Sequence, residues 1–126
     1  DVLLSHKGTV GEVAIVPDEI DYPYLMLTPQ VTLYRTDESK LKHKFLYYVF
    51  NSRYFQNQIL RLSSQSTRAY VGITSQRGFK LAIPNSGEEQ GRIIEVLTEV
   101  EKNRKLIDDS IESSKSLQKS LINQIF

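Results

Sequence analysis

Eight cationic side chains, Lys40, Lys42, Lys44, Arg53, Arg61, Arg68, Arg77 and Lys80, occupy the span between Glu38 and Glu88 without a single Asp or Glu among them. A field of one sign attracts a polyanion from about a Debye length away and makes the encounter salt-sensitive, so nucleic acid is the natural partner. Within this span, residues 65–77 collect side chains able to read base edges. Arg68, Gln76 and Arg77 have the donor and acceptor geometry for two-point contacts to guanine or adenine, with Ser66, Thr67, Tyr70, Thr74 and Ser75 beside them. Lys40, Lys42 and Lys44 suit phosphates better than bases. Any single residue of 65–77 fits solvated surface better than a specific contact, and the three lysines fit it equally well, so it is as a set that they point to DNA. The candidate duplex DNA contacts are Lys7, Lys40, Lys44, Arg53, Arg61, Arg68, Thr74, Gln76 and Arg77.

Other chemistries find less to work with. Asp18, followed by Glu38 and Lys40, has the order of a Mg²⁺-dependent nuclease in which two carboxylates hold the metal and a lysine assists hydrolysis. Residues 37–40 read better as a helix-starting turn than as the strand end such a site needs, so this stands as one alternative, beside a non-catalytic coiled-coil scaffold whose charge is incidental. With two histidines, no cysteine and no H-E-x-x-H, a zinc hydrolase has no ligand set, and disulfides are excluded. Gly8-Thr9-Val10-Gly11, flanked by His6 and Lys7, could present backbone N–H groups to a phosphate, but it lacks the G-K-[ST] ending of a P-loop. No glycine-rich cofactor loop occurs, and no cofactor is expected. Tyr47, Tyr48, Tyr54 and Phe55 could stack on bases, yet their helical spacing fits core packing better.

The elements that must position these groups follow from apolar spacing. Residues 2–4 and 13–16 are short aliphatic and β-branched runs, joined by a polar stretch whose Gly8 and Gly11 permit positive φ, which predicts a hairpin with a long connection. Residues 17–23 carry two prolines and three acids and read as loop. Alternation at residues 31–34 predicts another strand. A helix is expected to begin near Lys40, with Asp37 and Ser39 as caps and Leu41, Phe45, Tyr48 and Val49 at spacings of three and four. After an interruption at Asn51-Ser52, a second helix groups Phe55, Ile59 and Leu62 and lines up Arg53, Asn57 and Arg61 on another face. Two short strands are expected around residues 69–73 and 79–83.

Beyond Pro84 the chain changes character. Residues 1–85 hold ten basic and seven acidic side chains, net +3, whereas residues 86–126 hold six and eight, net −2, which together return the overall +1. Ser86-Gly87-Glu88-Glu89 is a capping box and predicts helix initiation at Ser86. From there an apolar stripe runs through Ile93, Leu97, Val100, Ile107, Ile111, Leu117 and Leu121, with Val96 and Ile125 alongside and Asn103, Ser110 and Ser114 interrupting it. At 1.5 Å per residue such a helix is about 55 Å long, more than a domain of this size can cover, so the stripe predicts a partner helix of coiled-coil type. The longest uninterrupted apolar run, residues 45–50, is far short of the roughly 20 residues a membrane span needs. A soluble, cytoplasmic protein without membrane contact is expected, and the start at Asp1 within an apparent strand suggests a fragment.

The residues also resemble a family. Residues 1–11, Asp1-Val2-Leu3-Leu4-Ser5-His6-Lys7-Gly8-Thr9-Val10-Gly11, are similar to the "GD-aliphatic-x-S-x-x-G-x-x-G" stretch of target recognition domains in specificity subunits of type I restriction-modification enzymes. Ser66-Thr67-Arg68-Ala69-Tyr70-Val71, Ile83-Pro84 and Glu89-Gln90-x-x-Ile93 resemble the family's passage into its spacer helix, and Leu117-Gln118-Lys119-Ser120-Leu121-Ile122 resembles that helix's end. Where the family often has a double proline before E-Q, Pro84 stands alone. The resemblance implies a small α+β DNA-recognition domain, here N-terminally incomplete (residues 1–85), followed by a long spacer or dimerisation helix (residues 86–126). It further implies a non-catalytic reader of part of a split target. Its helix would pair with a second spacer helix of the same subunit or with a homodimer mate. Separate methyltransferase (modification) subunits would hold the methyl donor, and a separate motor subunit would cut.

Overall fold

A computed structural model describes residues 1–64 and 69–126. The described elements run β1 (Val2–Ser5), β2 (Val13–Ile15), β3 (Val31–Tyr34), α1 (His43–Asn51), α2 (Arg53–Ser63), α3 (Ile73–Gln76) and α4 (Gly87–Ile125). They form two compact units, Asp1–Arg92 and Ile93–Phe126.

In the first unit β1 is the middle strand of a three-stranded antiparallel sheet ordered β2-β1-β3. Val2 faces Ile15 on one side and Tyr34 on the other. Strand alternation sends Val2 and Leu4 fully into the core, where they meet Leu46, Phe50, Phe55, Ile59 and Val71. The aromatic centre is tight. Phe50 stacks on Phe55 with ring centroids 4.3 Å apart, while Tyr34 and Phe79 approach edge-on at 5.0 and 4.8 Å. Each buried phenyl contributes roughly 1.5–3 kcal/mol of transfer free energy.

The expected hairpin, the strand at β3 and the two helices divided at Asn51-Ser52 are all present. Ser52 closes α1 and caps α2, its hydroxyl oxygen accepting from the Phe55 N–H at 3.3 Å. On α2, Phe55 and Ile59 are buried while Arg53, Asn57 and Arg61 are exposed, as the spacing requires. On α1 the deepest residues are Phe45, Leu46 and Phe50, a face rotated from the expected one.

Three local expectations are corrected. First, α1 starts at His43 rather than Lys40. Asp37 builds a separate turn, its carboxylate accepting from the Ser39 N–H and hydroxyl at 3.1 and 2.6 Å, and its carbonyl from Lys40 and Leu41 N–H groups. The orphan donors at the start of α1 go elsewhere: the His43 N–H to the Glu38 carboxylate at 2.9 Å and the Lys42 N–H to Gln90 Oε1 at 3.0 Å. Second, residues 69–73 form no strand of their own. A single bridge pairs Tyr70 with Lys7, and Gly72 then leads into the one-turn helix α3. Third, residues 79–83 are irregular. The Lys80 N–H and carbonyl are satisfied by the side-chain amide of Gln58 at 2.9 and 2.8 Å, so no neighbouring strand is required.

The capping residue Ser86 stands where the sequence places it, its hydroxyl oxygen 3.4 Å from the Glu89 N–H, and α4 begins at Gly87. Gln90 is 1% exposed and fixes this first turn: Oε1 accepts from Lys42, and Nε2 lies 3.0 and 3.3 Å from the carbonyls of Lys40 and Pro84. In the second unit the same helix continues through Ile125 as a single element. Its stripe residues Val100, Ile107 and Leu117 are each about 60% exposed.

Candidate nucleic-acid interface

The stretch from Ser5 to Gly11 is a built loop. Ser5 holds it from inside, its hydroxyl donating to the Thr9 carbonyl and accepting from the Glu12 N–H, while its own carbonyl accepts from the Gly11 N–H. Gly8 and Gly11 adopt φ of +83° and +97°, where a side chain is strained. A Cβ on Gly11 would also stand 2.8 Å from Gln56 Oε1. Gln56 Nε2 donates to the Gly11 and Phe50 carbonyls, tying the loop to the helices. The serine and both glycines of the motif are therefore accounted for by loop geometry. Lys7, at its tip, is exposed.

The cationic residues follow from this frame. Lys44 projects from α1, and Arg53 and Arg61 from the outer face of α2; all three are exposed. Lys40 is exposed as well and pairs with Asp37 at 3.1 Å. Thr74, Ser75 and Arg77 are exposed on and just after α3. Among the described residues, Lys7, Lys44, Arg53, Arg61, Arg77 and Lys80 make no ion pair with an acidic group.

Gln76 departs from expectation. It is 6% exposed, its Oε1 accepts from the Tyr34 hydroxyl at 2.6 Å, and its Nε2 donates to the Val71 carbonyl at 2.8 Å. Both polar groups of its amide are engaged in the interior, so it serves as a peg under α3, with Thr74, Ser75 and Arg77 exposed beside it. Burial pushes the Tyr34 phenol up to about 12. Arg68, with Gln65, Ser66 and Thr67, lies outside the described residues. Of the aromatic candidates, Phe55 is core, Tyr47 is half-buried, and Tyr54 is 58% exposed on α2.

The nuclease arrangement is not assembled. Glu38 accepts from the His43 N–H, the His43 ring at 2.8 Å and the Thr36 hydroxyl at 2.9 Å. Asp18 lies 4.0 Å from the other ring nitrogen of His43, so the imidazole separates the two carboxylates. Burial alone would raise the Glu38 carboxyl, but the hydrogen bonds from His43 and Thr36 outweigh it and hold the group below its ordinary value. Among the described residues no cluster of three or more His, Cys, Asp or Glu side chains could hold a metal ion.

Sequence reasoning missed two residues. Gln90 was visible only as part of a motif, and its role needs the distant carbonyls of Lys40 and Pro84. Gln30 stands outside every motif and every apolar pattern of the sequence. Its carbonyl accepts from the His6 N–H at 2.8 Å, which brings it beside Lys7 and Tyr70.

A small α+β domain whose exposed cations include several that pair with no acid among the described residues, together with a long helix, suits a binding module for a polyanion. A family model described as the type I restriction modification DNA specificity domain matches residues 1–113, and the chain belongs to that family. The family's domain is a DNA-recognition part of the specificity subunit and not a catalytic one. No solved structure matches the chain. No helix among the described residues is long and apolar enough to cross a membrane.

Proposed function

We propose that the unit Asp1–Arg92 reads one part of a duplex DNA target and that residues 93–126 pair with a second spacer helix, of the same subunit or of a homodimer mate, so that modification subunits are directed to the site. The observation that carries the reading is the set of exposed cations, Lys44, Arg53, Arg61, Arg77 and Lys80, that no acid in the described structure neutralises. Buried Gln76 underlies the turn that carries Arg77, and cations left without intramolecular partners are the ones that release counterions from DNA on binding. In this reading Lys40, Lys44, Arg53 and Arg61 contact phosphates, while Thr74, Arg77 and, by sequence, Arg68 reach base edges. Ile93, Leu97, Val100, Ile107, Ile111, Leu117 and Leu121 form the pairing seam. The setting is cytoplasmic, where such complexes meet DNA.

The test is binding of the complete subunit, with its modification partner, to specific and scrambled duplexes across salt. Log affinity should fall steeply with log salt, by about 0.9 for each phosphate neutralised. Arg77→Ala should relax preference at one base position, whereas Arg53→Ala should weaken all sequences alike. Affinity that stays flat between low and moderate salt refutes the DNA role.

A further inference from the structure

Beside the loop of β1, a cleft of about 680 Å³ is lined by Lys7, Gly8, Gln30, Ala69 and Tyr70. We propose that it seats one sugar-phosphate unit of the duplex backbone and so sets the register of the reading surface without reading sequence. The inference rests on the DNA-binding assignment above and specifies a contact within it.

Its walls come from three distant segments that backbone hydrogen bonds lock together. The Val71 N–H donates to the His6 carbonyl at 2.9 Å, the Gly8 N–H to the Ala69 carbonyl at 3.3 Å, and the His6 N–H to the Gln30 carbonyl at 2.8 Å. Side chains add to the order. Buried His6 sits 2.9 Å from the Thr32 hydroxyl through Nδ1, and its ring meets Tyr70 edge-on with centroids 5.9 Å apart. Gly8, at φ +83° and with open space where a Cβ would be, keeps the floor clear.

Among the described residues, the polar side chains that line this cleft are an ammonium, a carboxamide and a phenol, and none is acidic. All three can donate, which matches a phosphodiester, an acceptor on every exposed oxygen. The Tyr70 ring and the Ala69 methyl offer the apolar surface that a deoxyribose face would cover. The backbone hydrogen bonds that join the three segments reduce the ordering entropy that opposes the contact.

The experiment compares Lys7→Ala, Gln30→Ala and Tyr70→Phe in the complete subunit assembled with its modification partner. It measures affinity for the cognate duplex and for each single-base-pair variant at several salt concentrations. Lys7→Ala should lower the salt slope by about 1. Gln30→Ala and Tyr70→Phe remove neutral donors, so each should weaken all duplexes several-fold with the slope and the ranking of base variants unchanged. Tyr70→Phe keeps the ring on His6, and melting curves identify any variant that loses affinity through misfolding. A changed ranking for Gln30→Ala makes the cleft a base reader and overturns the proposal. Unaltered affinity in all three variants overturns it too. If the unmodified protein shows no salt-dependent binding, the DNA assignment itself fails, an outcome distinct from either.

Discussion

Helices α1 and α2 and the distal part of α4 share a sequence pattern and have opposite fates. Each carries apolar residues at spacings of three and four, yet Phe50 and Phe55 are at most 1% exposed whereas Val100, Ile107 and Leu117 remain about 60% exposed. What differs is the surface on offer. The first two helices have β1, with Val2 and Leu4, and the Val71 segment to pack against. Residues 93–126 are one helix with no second element in their own unit. Apolar periodicity therefore specifies a face, and only a facing surface turns that face into a core.

The largest effect follows directly. Phe55→Ala or Phe50→Ala should cost about 3–5 kcal/mol in urea denaturation, since the lost transfer energy is joined by a cavity between stacked rings. Val100→Ala, measured where the chain is monomeric, should stay within about 0.5 kcal/mol. The two halves can be followed separately. All seven tyrosines lie between Tyr22 and Tyr70, so near-UV circular dichroism reports the first unit while far-UV signal reports both. Equal losses for Phe55→Ala and Val100→Ala would erase the contrast.

The next effect sits at the start of α4. Gln90→Ala should cost roughly 1–3 kcal/mol for each buried group it orphans, the candidates being the Lys42 N–H and the Lys40 and Pro84 carbonyls. The first unit, which includes the first turn of α4, should respond, with the tyrosine transition moving to lower urea and that turn fraying. Gln90→Glu removes the donor and places charge at a site 1% exposed, and it should be no milder. A Gln90→Ala protein as stable as the parent would mean that this amide is incidental to the first unit.

A smaller expected change sharpens the same contrast by association. Ile107→Asp and Leu121→Asp place charge on the exposed stripe, at 60% and 49% exposure in the single chain. The tyrosine-reported stability of the first unit should be unchanged in both. If the seam pairs with another helix, sedimentation of the assembled subunit should show a lower mass or a more extended species. Unchanged hydrodynamics in both variants would remove the pairing role.

How much of this was legible beforehand depends on the range of the interactions involved. The face of α2, the hairpin, the Ser86 cap and the positive-φ glycines are local, and spacing with steric preference is enough to read them. Three of the failures are long-range satisfaction of polar groups by amide side chains. Gln58 meets the backbone of Lys80, which removes the need for a strand there; Gln76 turns inward to Tyr34 and Val71; Gln90 supplies an acceptor at the start of α1. A glutamine has the same two-sided chemistry whether it faces a base or a backbone. Composition therefore marks it as a reader or a peg with equal justice, and only the fold decides. The cationic side chains were easier, because burying an unpaired charge is costly and exposure is close to obligatory.

The smallest effect concerns pH and again separates the two regions. Glu38 is held below the ordinary glutamate value despite the opposing effect of burial, because the His43 N–H, the His43 ring and the Thr36 hydroxyl all bind its ionised form. A depressed carboxyl stabilises the fold above its unfolded value of about 4.3, and that contribution is lost as pH falls through the lower folded value. Its side chain is 54% exposed, so solvent screening keeps the contribution well under about 1 kcal/mol. Asp37 adds in the same direction, its carboxyl lowered by the Ser39 hydroxyl, then by Lys40 and the Ser39 N–H. Both carboxylates stand at the entrance to α1, so acid should loosen the tyrosine-bearing core there. Glu38→Gln keeps an acceptor for the His43 N–H but carries no charge, and it should flatten the acid limb of the near-UV transition while leaving the association of residues 93–126 unaltered. An acid limb of unchanged steepness in Glu38→Gln would show that the pH sensitivity of the core arises elsewhere.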